Sequence, residues 1–350
     1  MRMKGLSLFS GAGIGEYYLD KAGIDIICAN ELIKKRAALY QATYPKCKMI
    51  CGDINDEDVF NDILSSSKGI DFLLASPPCQ GMSVANKFKK GEKDTRNLLV
   101  LRAIKAIELL SPTFVIIENV PALLKIKLPW KEGFFGVLDI LDELFGKTYE
   151  ISAKIADAAD FGVPQKRLRA IIRLWKKGNE WDWPDPVKRK KTVRDAIGDL
   201  PSLEAGQISK IKWHFARKHS PEQILVMQHT PTGHSAFENP VYYPKKPNGE
   251  RVHGFNTTYR RMEWDKPCPT ITMRNDAISS QRNVHPGRLL PNGTYSDARV
   301  LTPLELMLCD SLPADWRIPD STPEILIRQV IGESIPPLMI EKIAKGIKAK

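Results

Sequence analysis

The chain has 350 residues, 43% hydrophobic and 27% charged, a composition that suits one or two globular domains and excludes a largely disordered protein. No apolar run approaches the roughly 18–20 residues needed to span a bilayer, and the start MRMKGLSLFSGAG lacks a signal peptide's long apolar core and cleavage site. A net charge of +11 makes nucleic acid the first partner class to consider, because neutralising phosphates releases counterions; a merely soluble basic protein fits the charge equally well.

Through about residue 175, short apolar runs alternate with longer stretches of helical spacing. The runs are GLSLF, IDIICA, CKMICG, IDFLLA, TFVIIEN, YEISAKI and LRAIIRLW, and RNLLVLRAIKAIELL is an example of the intervening helical pattern. This alternation predicts an α/β fold with a doubly wound, mostly parallel sheet, whose ligands sit at the carboxyl ends of the strands. From about 176 the character changes: WKKGNEWDWPDPVKRKKTVRD brings tryptophans, prolines and a basic run, and the next hundred or so residues read as a smaller, loop-rich second domain. Helical patterns return after Thr302. The expected division is a first domain over 1–184, completed by 322–350, and a second over 185–321.

In LSLFSGAGIGE a strand runs into a glycine turn before a helix. Gly11, Gly13 and Gly15 permit close backbone approach to a ligand, but the spacing is G-x-G-x-G, so the dinucleotide fingerprint G-x-G-x-x-G is not met. A nucleotide-like ligand without a pyrophosphate fits better, and S-adenosylmethionine is one. Glu31 ends the second strand, where a carboxylate can accept from ribose hydroxyls, and Asp53 ends the third, where an adenine amino group can be read.

In ASPPCQGMS, Cys79 follows two stiffening prolines just after a strand. Buried structural cysteines usually lie inside apolar runs, as Cys28 does, so Cys79 is placed as a nucleophile would be. The polar, basic stretch VANKFKKGEKDTRN after it reads as a lid. The six cysteines (28, 47, 51, 79, 268 and 309) form no CxxC pair and have no partner histidines at zinc spacing, so a reduced, cytoplasmic protein without a metal is expected. Glu118, near the end of the very apolar FVIIEN, reads either as a solvated strand-end acid or as a group able to donate to a ring nitrogen beside that cysteine, with Asn119 as a fixed amide. Arg167 and Arg169 alternate at the start of a strand and so are expected to face one way, either as a clamp for a phosphate or a base carbonyl or as a solvated strand face.

In this order, FSGAGIG, SPPCQG, ENV, QKRLR and GESIPP resemble the motifs of the cytosine-5 DNA methyltransferases, over residues 5–174 and roughly 295–345. The resemblance implies a Rossmann-like fold and an S-adenosylmethionine pocket lined by Phe9, Gly11, Gly13, Glu31, Asp53, Pro78 and Leu99, the last from DTRNLL. It implies Cys79 as the nucleophile, Glu118 as the residue that engages the cytosine ring, and Arg167 and Arg169 as supporting groups. RVLTPLELMLCDSLP is similar to the motif that braces the recognition domain. One departure is clear: where the family has G-N-x-V/I-x-P this chain has GESIPP, with Glu333 in the asparagine's place. That acid is expected either to tune affinity for the sulfonium or to point to solvent.

The variable region is then the expected target-recognition domain. KRKK, HFARKH, YRR and MRND offer phosphate contacts, and Gln80, Thr270, Arg274, Asn275 and Arg282 are the expected DNA-binding residues, with Gln281 and Asn283 of the same base-reading types. PTIT is similar to a threonine-containing recognition signature, with Thr270 as the match. The expected partners are double-stranded DNA and a companion restriction endonuclease, with the chain acting as a monomer away from membranes. The alternatives are a tRNA-methylating relative, whose CFT-containing stretch is absent, and a non-catalytic DNA-binding homologue, against which intact Cys79 and Glu118 argue. A nicotinamide oxidoreductase is disfavoured by the glycine spacing and PPCQ.

Overall fold

The computed structural model describes residues 2–78 and 98–349. All seven apolar runs become strands of one sheet. They are β1 (Met3–Leu8), β2 (Ile24–Glu31), β3 (Lys48–Cys51), β4 (Phe72–Ala75), β5 (Phe114–Asn119) and, after a small hairpin of β6 (Lys127–Trp130) and β7 (Gly133–Gly136), β8 (Tyr149–Asp157) and β9 (Leu168–Lys176). Every residue of β4 and β5 is buried, as expected of strands covered on both faces.

The order across the sheet is β3-β2-β1-β4-β5-β9-β8, and β9 alone runs opposite to the other six strands. Helices α1 (Lys34–Thr43), α2 (Glu57–Ser66), α3 (Leu99–Leu110) and α4 (Val137–Phe145) complete the crossovers. Asp56 starts α2 by accepting from the backbone N–H groups of Asp58 and Val59. Strand order reverses between β1 and β4, so the loops leaving those two strands diverge and open a crevice at their carboxyl ends.

The second half adds α5 (Val193–Ile197), α6 (Pro221–Gln228), α7 (Pro303–Cys309), α8 (Glu324–Glu333) and α9 (Pro337–Ala344), with little other regular structure between 182 and 301. Met339, Ile340 and Ile343 of α9 pack with Phe72, Leu74, Phe114 and Ile116 of the sheet. The chain end returns beside the sheet, where β10 (Glu180–Trp181) pairs with β11 (Ile347–Lys348). A further core joins Ala12, Ile14 and Leu39 to Trp213, Trp264, Leu304, Trp316 and Ile331, so the irregular region shares apolar packing with the glycine turn. Its own small cluster contains Val226, Met227, Ile278, Val284 and Val300. No helix among the described residues is long and apolar enough to cross a membrane.

Candidate active site

The site begins at the turn after β1. Phe9 adopts φ +59°, unusual for a residue with a side chain, and so stores backbone strain at the strand end. Gly11 follows at φ +58°, and a Cβ there would meet no atom within 4 Å, which leaves the turn open for a ligand's close approach. Gly13 at φ +73° is packed from behind: a Cβ would lie 2.4 Å from the ring of Tyr44 and 2.8 Å from that of Tyr40. Below the turn, Ser7 and Tyr40 both donate to the buried carboxyl of Glu16, which burial pushes up to about 7.

The neighbouring strand ends are tied to this turn. The Gly11 N–H donates to Glu31 Oε2 at 2.9 Å, and the Ile33 N–H donates to Glu31 Oε1 at 2.8 Å. The buried Glu31 carboxylate is thereby fixed at the mouth of β2. Asn30 Nδ2 donates to the carbonyls of Ile50 and Gly52, which holds the end of β3 alongside. Asp53 is exposed there and accepts a local bond from Asn55 N–H at 2.9 Å. Phe9 and Leu99 both pack half-buried against the main sheet core. The open glycine turn, the fixed acid at the end of β2 and the exposed acid just beyond β3 fit a nucleoside-bearing ligand.

On the other side of the crevice, Glu118 is the penultimate residue of β5 and is only 5% exposed. Arg169 Nε meets its Oε1 at 2.8 Å, and Ser76 Oγ donates to its Oε2 at 3.1 Å. The guanidinium compensates a carboxylate that would otherwise be costly to bury, and the two contacts leave little freedom in its position. Asn119 Nδ2 donates to the Pro77 carbonyl at 3.0 Å, which ties the proline turn to β5 two residues before Cys79. Pro78 is half-buried at the end of the described segment. Cys79, Gln80 and the expected lid over 80–96 lie outside the described residues.

The expected two-arginine clamp is not what forms. Arg169 serves Glu118, whereas Arg167 is buried and donates to the Ile271 carbonyl at 2.7 Å and the Gly332 carbonyl at 3.1 Å. Arg167 therefore joins β9, the PTIT segment and α8. Gln165 reinforces this junction: its amide accepts from Ile271 N–H and donates to the buried Asp310, whose carboxyl burial raises to about 7. A Cβ on Gly332 would lie 2.3 Å from the Thr272 carbonyl oxygen, so α8 and this segment touch backbone to backbone. Glu333 is half-buried at the end of α8. It pairs with Arg36 at 2.8 Å. Burial raises its carboxyl above the ordinary range; Arg36 opposes that shift, and the nearby Glu31 adds to it.

Several of the expected nucleic-acid contacts have partners within the protein. Asn275 is buried, donates to the Thr272 and Arg328 carbonyls, and presents no edge to a base. Arg261 of YRR is fully buried among the carbonyls of Met227, His285 and Asp297. In KRKK, Arg189 pairs with Asp195 and Lys190 with Asp160. Thr270 is exposed, with its hydroxyl donating to the Lys166 carbonyl at 2.7 Å. Arg274, with its side chain 85% exposed, and the exposed Arg282 remain available to a partner. Sequence reasoning gave no role to Ser76 or Gln165, although Ser76 adjoins the proline turn and Gln165 begins QKRLR.

Comparison with known proteins identifies the family and the fold. A Type II methyltransferase of Avibacterium volantium, M1.HgaI, is 58% identical over 98% of this chain and 97% of its own. M1.HphI of Haemophilus parahaemolyticus is 29% identical over 99% of this chain and 87% of its own. The fold is similar to that of an E. coli prophage-encoded protein described as a DNA modification methyltransferase (TM-score 0.68, 22% identity, 98% of both chains). It is also similar to Spodoptera frugiperda DNMT2 (TM-score 0.61, 16% identity, 98% of this chain and 99% of that one). The sequence pattern of the C-5 cytosine-specific DNA methylases matches residues 3–349, and the chain belongs to that S-adenosylmethionine-dependent enzyme family.

Proposed function

We propose that the chain is the modification enzyme of a type II restriction–modification system. It would methylate C5 of a cytosine in one specific duplex sequence and so protect DNA from a companion endonuclease, as a cytoplasmic monomer. The whole-length likeness to M1.HgaI supports the system, and the geometry of Glu118 carries the chemistry. A buried carboxylate held by Arg169 and Ser76 at the rim of the crevice is placed to receive N3 of an extruded cytosine.

Phe9, Gly11, Gly13, Glu31, Asp53, Pro78 and Leu99 would hold the cofactor: the open turn receives its backbone-facing side, Glu31 the ribose and Asp53 the adenine. S-adenosylmethionine supplies an electrophilic methyl group there. The reacting C6 is stacked inside a duplex, so the target base must leave the helix to reach the site. The Cys79 thiolate adds to C6, which makes C5 enamine-like and able to accept the methyl group. Glu118 stabilises the negative charge that develops on the ring by protonating or hydrogen-bonding N3. Loss of the C5 proton to a base, water or a side chain, then expels the Cys79 thiolate and restores the aromatic ring.

Purified protein incubated with S-adenosylmethionine and unmodified bacterial DNA is expected to leave 5-methylcytosine in one recurrent sequence context, mapped at single-base resolution. Absence of methylcytosine from DNA by a protein shown to bind the cofactor would contradict this reading and favour an RNA substrate.

A further inference from the structure

An exposed phenylalanine in a braced turn has no role in the chemistry above. Phe255 is 74% exposed. A single exposed apolar residue is ordinary in a soluble protein, so exposure alone decides nothing. The frame around Phe255 is what distinguishes it. Thr258 donates to the Phe255 carbonyl from both its N–H (2.9 Å) and its hydroxyl (3.0 Å), closing the turn. Tyr259 N–H donates to the Ile278 carbonyl, and Arg282 N–H donates to the Thr257 carbonyl at 2.7 Å. Beneath the turn, a Cβ on Gly254 would lie 2.4 Å from the Phe237 ring, which itself packs edge-on against Tyr259. Backbone and ring are in direct contact there, and the next residue projects into solvent from a fixed base.

The same frame carries polar groups able to read base edges. Gln281 and Arg282 are exposed, and Thr258 and Gln281 form a β-bridge. Arg282 is held at φ +46°, a left-handed conformation costly for an arginine and maintained by its bond to Thr257. Gln281 and Arg282 line one small cavity with Thr270, which is bonded to Lys166 three residues before Arg169 and its partner Glu118. The polar part of the frame therefore borders the segment that leads into β9, where Arg169 meets Glu118. Resting on the base-extrusion reading above, we propose that Phe255 is a wedge. It enters the duplex beside the target cytosine and unstacks it, while Gln281 and Arg282 hold register on the neighbouring bases. Apolar side chains inserted between base steps kink and unstack DNA, and the vacated stack favours an aromatic face.

The test compares wild type with Phe255→Ala and Phe255→Trp on two duplexes carrying the sequence found by methylation mapping. One is fully paired; the other has an abasic site opposite the target cytosine, which removes most of the cost of extrusion. Phe255→Ala should lose about tenfold or more in single-turnover methylation of the paired duplex and recover to within about threefold of wild type on the abasic one, while Phe255→Trp stays active on both. A 2-aminopurine at the target position should brighten on binding wild type, and less with Phe255→Ala. Equal rates for Phe255→Ala and wild type on paired duplex overturn the proposal. Equal losses on both duplexes also overturn it, because an ordinary groove contact behaves that way. Wild type inactive on every duplex refutes the methyltransfer reading itself, before any variant is compared.

Discussion

Replacing Glu118 by glutamine is expected to lower the methyl-transfer rate by about 10²–10⁴-fold, the range typical of a positioned acid–base group, with cofactor affinity unchanged. Glutamine keeps the shape of the side chain and accepts the Ser76 hydroxyl as before, so the end of β5 stays in place. It cannot balance the charge of Arg169, which is mostly buried against Glu118, nor stabilise charge developing on the cytosine ring as a carboxyl group does. The loss should fall on single-turnover rate rather than on cofactor binding, because Glu118 lies on β5 while the acids assigned to the cofactor lie at the end of β2 and just beyond β3. Calorimetry with S-adenosylmethionine and single-turnover methylation separate the two. A variant that loses cofactor affinity in proportion to rate would show that Glu118 supports the pocket rather than the chemistry.

The second large effect concerns stability. Arg299 is fully buried and bonds Glu305 through two nitrogens, at 2.7 and 2.9 Å, and Asp297 at 2.9 Å. The Glu305 carboxylate also accepts the Thr302 N–H and so caps α7, which links the network to the apolar core beneath the glycine turn. Arg299→Met should destabilise the protein by about 3–5 kcal/mol, since it leaves two carboxylates buried with reduced compensation. Urea or thermal denaturation followed by circular dichroism measures this. Adding Glu305→Gln to Arg299→Met should return part of the loss, as expected when the cost lies in an uncompensated charge.

The same network fixes the sign of the acid response. Arg299 and His285 hold Glu305 down to about 2 from an ordinary 4.5, although burial itself pushes the other way, and Asp297 is lowered as well. A carboxyl group whose pKa is depressed in the folded state contributes stability above its unfolded value and loses it as pH falls through the folded one. The Glu305 contribution should therefore be complete above about pH 4.5 and fade toward pH 2. The stability difference between wild type and Arg299→Met should shrink over that interval; a difference independent of pH would show that packing rather than charge sets the cost.

The catalytic half was legible because its signals are local. Each of the seven apolar runs is short and bounded by turn residues, and the parallel sheet follows from their alternation with helices. Glu31 and Glu118 could be located because a carboxylate at the end of an apolar strand has few places to go. The β6–β7 hairpin was not read: KLPW and GFFG carry proline and glycine, and neither shows a clear alternation. The recognition region resisted for a different reason. An arginine's sequence context does not show whether its guanidinium meets solvent or the carbonyls of distant residues. Arg261 turns inward to Met227, 34 residues away, and Arg167 to Ile271, 104 residues away. Asn275 has the side chain of a base reader but bonds to Arg328. Glu333 has its explanation in Arg36, 297 residues earlier. Each of these is a long-range satisfaction of a buried polar group, and nothing in the local pattern announces it.

The most direct measurement of the central claim is a covalent trap. A duplex carrying the mapped sequence with 5-fluorocytosine at the target position is incubated with the protein in the presence and absence of S-adenosylmethionine. The C5 fluorine cannot leave as a proton does, so addition of Cys79 to C6 followed by methylation should stop at a stable protein–DNA adduct. The expected adduct requires S-adenosylmethionine, survives denaturation, maps to Cys79 by peptide mass spectrometry and is absent from Cys79→Ala. Methylation by Cys79→Ala, or an adduct on another residue, would contradict it.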